Sequence, residues 1–167
     1  MENSLAGKHA LVCGASKGIG KAVALLLAAA GANVTLAARN ETTLTETKNL
    51  LSNNGTQQHE ILVADFSDAF LLKDIISKHL QNHDYEILVN NPGGPAAGNI
   101  TDANEQAFIA AFNNHLLCNH VLATALLPSM KKIGYGRIIN IISTSVKIPL
   151  KGLGVSNTIR GAVANWS

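Results

Sequence analysis

The feature that most constrains this chain is the bend Cys13-Gly14-Ala15-Ser16-Lys17-Gly18-Ile19-Gly20, set between an apolar run (His9-Ala10-Leu11-Val12) and a second one from Ile19 to Ala30. Glycines let the backbone turn sharply and approach a ligand with no Cβ in the way. A helix that starts at such a bend offers free N–H groups and the positive end of its dipole to an anion. Strand, glycine turn and helix in this order open a doubly wound α/β fold, and the bend is a candidate seat for the pyrophosphate of a dinucleotide.

The rest of the chain is compatible with one such domain over residues 1–167. At 47% hydrophobic and 14% charged residues it is composed like a globular protein. A net charge of +2 with no Lys/Arg block excludes nucleic acid as an expected partner. Cys13 and Cys118 stand in no metal or redox spacing and read as reduced core thiols, which points to the cytoplasm. Glu2 and the lack of a basic start argue against a signal peptide. The longest apolar run, Ala22 to Ala30, is about half of what a bilayer requires, so no membrane is expected.

Periodicity predicts alternating strands and helices. Strands are expected at Lys8–Cys13, Asn33–Ala38, Glu60–Ala64, Glu86–Asn90 and Arg137–Ile142. The first helix, Ile19–Ala30, is expected to bury Ile19, Val23, Leu26, Leu27 and Ala30 and to end at Gly31. Further helices are predicted at Thr42–Ser52 (closed by Asn53-Asn54-Gly55), at Asp68–Leu80 capped by Ser67 or Asp68, at Asp102–Lys132 with a kink near Pro128, and from Gly154 to Ser167. The strands are short and continuously apolar, as parallel strands covered on both faces are. Right-handed crossovers then give the order 3-2-1-4-5. The apolar fifth strand makes a poor sheet edge, and the last helical pattern carries no stop signal, so a truncated chain is expected.

Three landmarks in sequence resemble the short-chain dehydrogenase/reductase family: the spacing Gly14-x-x-x-Gly18-x-Gly20, the Asn90-Asn91-Pro92-Gly93 stretch after the fourth strand, and Ser143 after the fifth. The likeness runs over essentially the whole chain. The variant Asn90–Pro95, Asn-Asn-Pro-Gly-Gly-Pro, is similar to an atypical subgroup often labelled 3-oxoacyl-carrier-protein reductases. Complete members of the family run longer, again implying C-terminal truncation.

The resemblance implies cofactor contacts from Gly14, Ser16, Lys17, Gly18, Ile19 and Gly20, from Asp65 and Phe66 against the adenine, and from Asn90, Asn91 and Gly93 near the adenosine ribose. NAD-preferring sites put an acid at the end of the second strand. Here Ala38 and Arg39 stand there. Arg39 can pair with a 2′-phosphate through two N–H groups, and Lys17 can add a second cation, so NADP(H) is the expected cofactor.

The family's chemistry uses a tyrosine acid, a lysine four residues on, a serine and an asparagine. Ser143 keeps the serine place, but Ser156 stands at the tyrosine position, Arg160 at the lysine position and His115 at the asparagine position. A serine hydroxyl is a far weaker acid than a tuned tyrosine. Arg160 keeps a charge able to hold cofactor, yet scarcely gives up a proton. His115, which could titrate near neutral pH, and Lys147 are the candidate substitute donors, the competing readings being a packed or solvated helical histidine and a solvated loop lysine. His79 and His83 have an i,i+4 spacing that can bind zinc, but with no third ligand nearby they read as a solvated helix end, and no metal is expected.

The resemblance therefore implies an NADP(H)-dependent oxidoreductase moving hydride to or from a small-molecule carbonyl or alcohol, a 3-oxoacyl thioester being one candidate. The competing readings are a dinucleotide-binding protein with little or no catalysis, because Ser156 and Arg160 replace the tyrosine and lysine, and an inactive fragment of a longer enzyme. The family also implies a homodimer or homotetramer. Phe108, Ala111, Phe112 and Leu116 form an apolar stripe that serves either core or interface.

Overall fold

The apolar stretches pair as one parallel sheet in the order β3-β2-β1-β4-β5, as expected. The computed structural model describes residues 4–53 and 56–167. The strands are β1 (His9–Cys13), β2 (Asn33–Ala38), β3 (Glu60–Val63), β4 (Ile87–Asn90) and β5 (Arg137–Asn140). The helices are α1 (Gly18–Ala29), α2 (Glu41–Lys48), α3 (Ala69–His79), α4 (Glu105–Phe112), α5 (Cys118–Ile133) and α6 (Gly154–Trp166).

Alternation along β1 builds the two core layers. Ala10 and Val12 pack with Ala24 and Ala28 of α1 and Leu44 of α2. Leu11 and Cys13 face the other way, onto Leu72 and Ile76 of α3 and Leu122 and Leu126 of α5. Both faces of the sheet are thus covered at β1, β2 and β4, whose strands read as unbroken apolar runs, while β5 at the edge stays exposed.

The expected inner face of α1 is corrected. Ile19 and Leu26 are exposed (58% and 63%), whereas Gly20, Ala24 and Ala28 are buried. In a helix apolar on nearly every side, the small residues win the inner face because they let the backbone settle close to the sheet. Gly31, at φ 97°, ends α1 as expected. Its N–H bonds Ala28 O and the Ala32 N–H bonds Leu27 O, the paired closure of a glycine-terminated helix.

Asp68, not Ser67, caps α3, accepting from the N–H groups of Phe70 and Leu71. The helix α2 ends at Lys48, earlier than expected, and the predicted stop at Asn54 and Gly55 lies outside the described residues. The long helix predicted over 102–132 is divided. A short 3₁₀ turn (Ile100–Asp102) precedes α4, and a widened turn at Asn113–Leu117, where the Cys118 N–H reaches Asn113 O, joins α4 to α5. α5 continues through Pro128, so the irregularity falls at His115 rather than at the proline.

Candidate dinucleotide cleft

The C-terminal ends of the strands open into a cleft of about 670 Å³ between β1, β2 and β4. The glycine turn forms its floor. Gly14 and Gly18 hold φ of 62° and 57°, the left-handed region that suits glycine. A Cβ on Gly14 would collide with Asn91 O, and one on Gly20 with Gly14 O. The bend therefore closes only with these glycines, and Asn91 presses directly on it. No side chain caps α1. Its first N–H groups stay open to an anion, while Asn40, Asp68 and Asn104 cap α2, α3 and α4.

Gly14, Ser16, Lys17, Gly18, Ile19, Arg39, Phe66, Asn91, Gly93 and Arg160 all line this cleft, together with Ala38, Asn40 and Thr43. Gly20 lies beneath the floor, where it allows the close approach of the turn to Asn91. Arg39 is exposed at the rim, past buried Ala38, with no acid between it and the glycine turn.

Two expected contacts behave differently. Asp65 does not line the cleft; its Oδ1 accepts from the Ser67 N–H at 2.9 Å, so it shapes the turn into α3. Asn90 is fully buried and donates through Nδ2 to Asn140 Oδ1, tying β4 to β5 rather than bordering a ribose. Asn140 in turn reaches Ser167 Oγ.

At the inner end of the cleft Arg160 donates through Nη1 to Ile141 O at 2.8 Å. This bond holds the guanidinium at the β5 end of the cleft. Ser143, just past β5, begins the 3₁₀ turn Thr144–Val146; its Oγ accepts from the Ser145 N–H at 3.1 Å, leaving the hydroxyl proton to donate. Ser156 lies half-buried on the first turns of α6. Lys147 is exposed; of the catalytic candidates only Arg160 lines the cleft, and Ser143, Ser156, His115 and Lys147 lie outside its lining.

His115 is buried, with no partner for Nδ1. Burial, and then the charge of Arg160, pushes its pKa down from 6.5 to about 4. The imidazole is therefore neutral at pH 7, which corrects the expectation of titration near neutrality. Ser145, a residue the motifs did not single out, also buries an unpartnered Oγ. Its only sequence signal is its place two residues after Ser143.

Neither tyrosine lines the cleft. Tyr85 lies at the far end of the sheet with its hydroxyl on Thr35 Oγ1. Tyr135 has the cations of Lys8 and Arg137 over its ring, 4.6 and 4.5 Å from the centroid. In the apolar stripe of the α4 region, Ala111 is buried and Phe108 packs on the α6 cluster, whereas Phe112 is 40% exposed.

The family description short chain dehydrogenase matches residues 8–166. The chain belongs to the short-chain dehydrogenase family. It is 26% identical to L-sorbose reductase from Gluconobacter frateurii, a structure solved with NADPH and L-sorbose, with a TM-score of 0.92 over 100% of this chain and 64% of that one. It is 25% identical to a 3-oxoacyl (acyl-carrier-protein) reductase from Agrobacterium tumefaciens with NADP bound, with a TM-score of 0.90 over 98% of this chain and 63% of that one. A human relative, inactive hydroxysteroid dehydrogenase-like protein 1, is 31% identical over 96% of this chain and 49% of its own length. The chain thus spans about half to three fifths of the length of such curated relatives. Among the described residues no helix is long and apolar enough to cross a membrane.

Proposed function

We propose that this short-chain dehydrogenase binds NADP(H) in the cleft and acts as an oxidoreductase on a small carbonyl or alcohol, a 3-oxoacyl thioester being one candidate. The observation that carries the reading is the pairing of a glycine cradle no Cβ would fit with Arg39 at its rim. The N–H groups of the turn and of α1 would hold the pyrophosphate, and Lys17 and Arg39 the 2′-phosphate. Phe66, Asn91 and Gly93 would flank the adenosine end, and Arg160 the ribose next to the nicotinamide. When bound, the cofactor supplies or accepts a hydride.

This chain's own residues must then place the carbonyl and manage the proton. The Ser143 hydroxyl, free to donate, is suited to hold the carbonyl oxygen. Arg160 contributes positive charge beside it without giving up its proton. Ser156 fills the acid position with a weak acid, and an absent general acid costs about 10²–10⁴-fold in rate. His115, neutral and with Nδ1 unpartnered, fits the passing of a proton through a bound water rather than direct donation.

The second reading, a dinucleotide-binding protein with little turnover, is favoured by one observation: among the described residues no tyrosine lines the cleft. Fluorescence titration with NADPH, run beside NADPH oxidation against ketones and 3-oxoacyl thioesters, separates the two. Binding with oxidation supports the oxidoreductase; binding without it moves the assignment to the second reading; neither defeats both. The buried free thiols Cys13 and Cys118 support a reducing, cytoplasmic setting, and the partly exposed Phe112 supports a homodimer or homotetramer.

A further inference from the structure

The opposite edge of the sheet, where the strands begin, gathers a second set of chemistry-bearing side chains. His79 is the last residue of α3, His83 follows it by four, and Glu60 is the first residue of β3. The sequence spacing offered the two histidines with no third ligand; the fold supplies Glu60. One donor atom from each of the three lies within 4.8 Å of the others. The His83 Nε2–Glu60 Oε2 distance is 2.9 Å, and the two imidazoles stack with centroids 4.1 Å apart.

Hydrogen bonds outside this trio assign the proton on each ring. The Tyr85 hydroxyl donates to Thr35 Oγ1, so its oxygen accepts from His79 Nε2 at 2.6 Å. That leaves His79 Nδ1 as the basic nitrogen. His83 Nδ1 lies 2.8 Å from His79 O, a carbonyl that can only accept, so His83 Nδ1 carries a proton and Nε2 is the donor turned towards Glu60. A metal-bound histidine is held in the same manner, its second ring nitrogen donating to a carbonyl, carboxylate or other oxygen. Two imidazole nitrogens and a carboxylate suit a borderline divalent ion. A cavity of about 350 Å³, lined by Glu60, His83 and Asp84 among others, adjoins the trio and leaves space for water at a remaining coordination position.

We propose that Glu60, His79 and His83 form a site for a divalent transition-metal ion such as zinc, remote from the dinucleotide cleft. The ion replaces the proton shared by His83 and Glu60, and a modest turn of the stacked rings brings both lone pairs onto it. Coordination bonds of about 2.0–2.2 Å would close the 4.8 Å cluster and lock the end of α3 to the start of β3.

The test is a titration of the full chain with zinc chloride against a chromophoric chelator, beside His83→Gln, Glu60→Gln and Tyr85→Phe, with circular dichroism to check each fold. One zinc per chain is expected. Loss of a ligand should weaken binding at least tenfold, and loss of the Tyr85 hydroxyl about 10–100-fold, the usual effect of removing a partner behind a metal ligand. Histidine-ring NMR of the unaltered chain answers the same question should a variant fail to fold. Signals of His79 and His83 should move on adding zinc while those of His115 and His120, remote from the trio, stay. No saturable binding, binding indifferent to the variants, or shifts confined to the other histidines would overturn the proposal.

Discussion

Under the proposed function, Arg39 stands where one side chain would decide between two cofactors. It is exposed at the rim of the cleft, and Ala38 leaves no carboxylate to repel a phosphate. Hydrogen bonds to charged groups are worth about 1.5–3 kcal/mol. Arg39→Ala should therefore weaken NADPH binding about tenfold or more and leave NADH binding nearly unchanged, as equilibrium fluorescence would show. His115 makes a separate prediction. Its folded pKa of about 4 lies below its ordinary 6.5, so as pH falls through that window the unfolded chain takes up a proton that the folded chain does not. Stability should decline between about pH 6.5 and 4 on account of this group, and His115→Asn should flatten that part of the curve in urea denaturation followed across pH. An unchanged slope would show that His115 takes up its proton alike in the folded and unfolded chain. The sequence announced both positions by alignment of motifs, but not the neutrality of His115. That depends on burial by α6 and on Arg160, which lies far away along the chain.

Element boundaries were legible wherever a single residue enforces them. Gly31 closes α1 through its left-handed φ, and Asp68 opens α3 through its carboxylate. The inner face of α1 was not legible, because Ile19, Val23, Leu26 and Leu27 offer apolar surface around much of the helix and no periodic signal ranks small residues above large ones. Packing distance to the sheet ranks them. Ala24→Leu should overfill the α1–sheet contact and cost about 1–3 kcal/mol, while Leu26→Ala on the exposed side should cost less than about 0.5 kcal/mol. Urea midpoints would give the comparison, and the reverse order would restore the large-residue face. The widened turn at Asn113–Leu117 was equally hidden, since it breaks no local sequence rule, whereas Pro128 breaks one and is accommodated.

Across the whole molecule, the strand order and the placing of the cleft followed from alternating periods and the handedness of crossovers. The meeting of Glu60 with His79 and His83 did not, because it joins a strand start to a helix end and depends on register. The same architecture leaves Ile138 and Ile139 of β5 partly exposed at the sheet edge, the place where apolar strands are most open to further pairing. The central claim is that this architecture exists to seat a phosphorylated dinucleotide on the glycine bend. Ligand that binds only the folded state raises stability by about 2.7 kcal/mol at a hundred times its Kd. The most direct measurement is calorimetric titration of the folded chain with NADPH and with NADH, repeated on Gly20→Ala, where the added Cβ would strike Gly14 O. The account predicts one NADPH per chain, bound at least tenfold more tightly than NADH, with binding lost in the variant. Failure of both nucleotides to bind the folded, unaltered chain, or NADPH binding that survives Gly20→Ala intact, would contradict it.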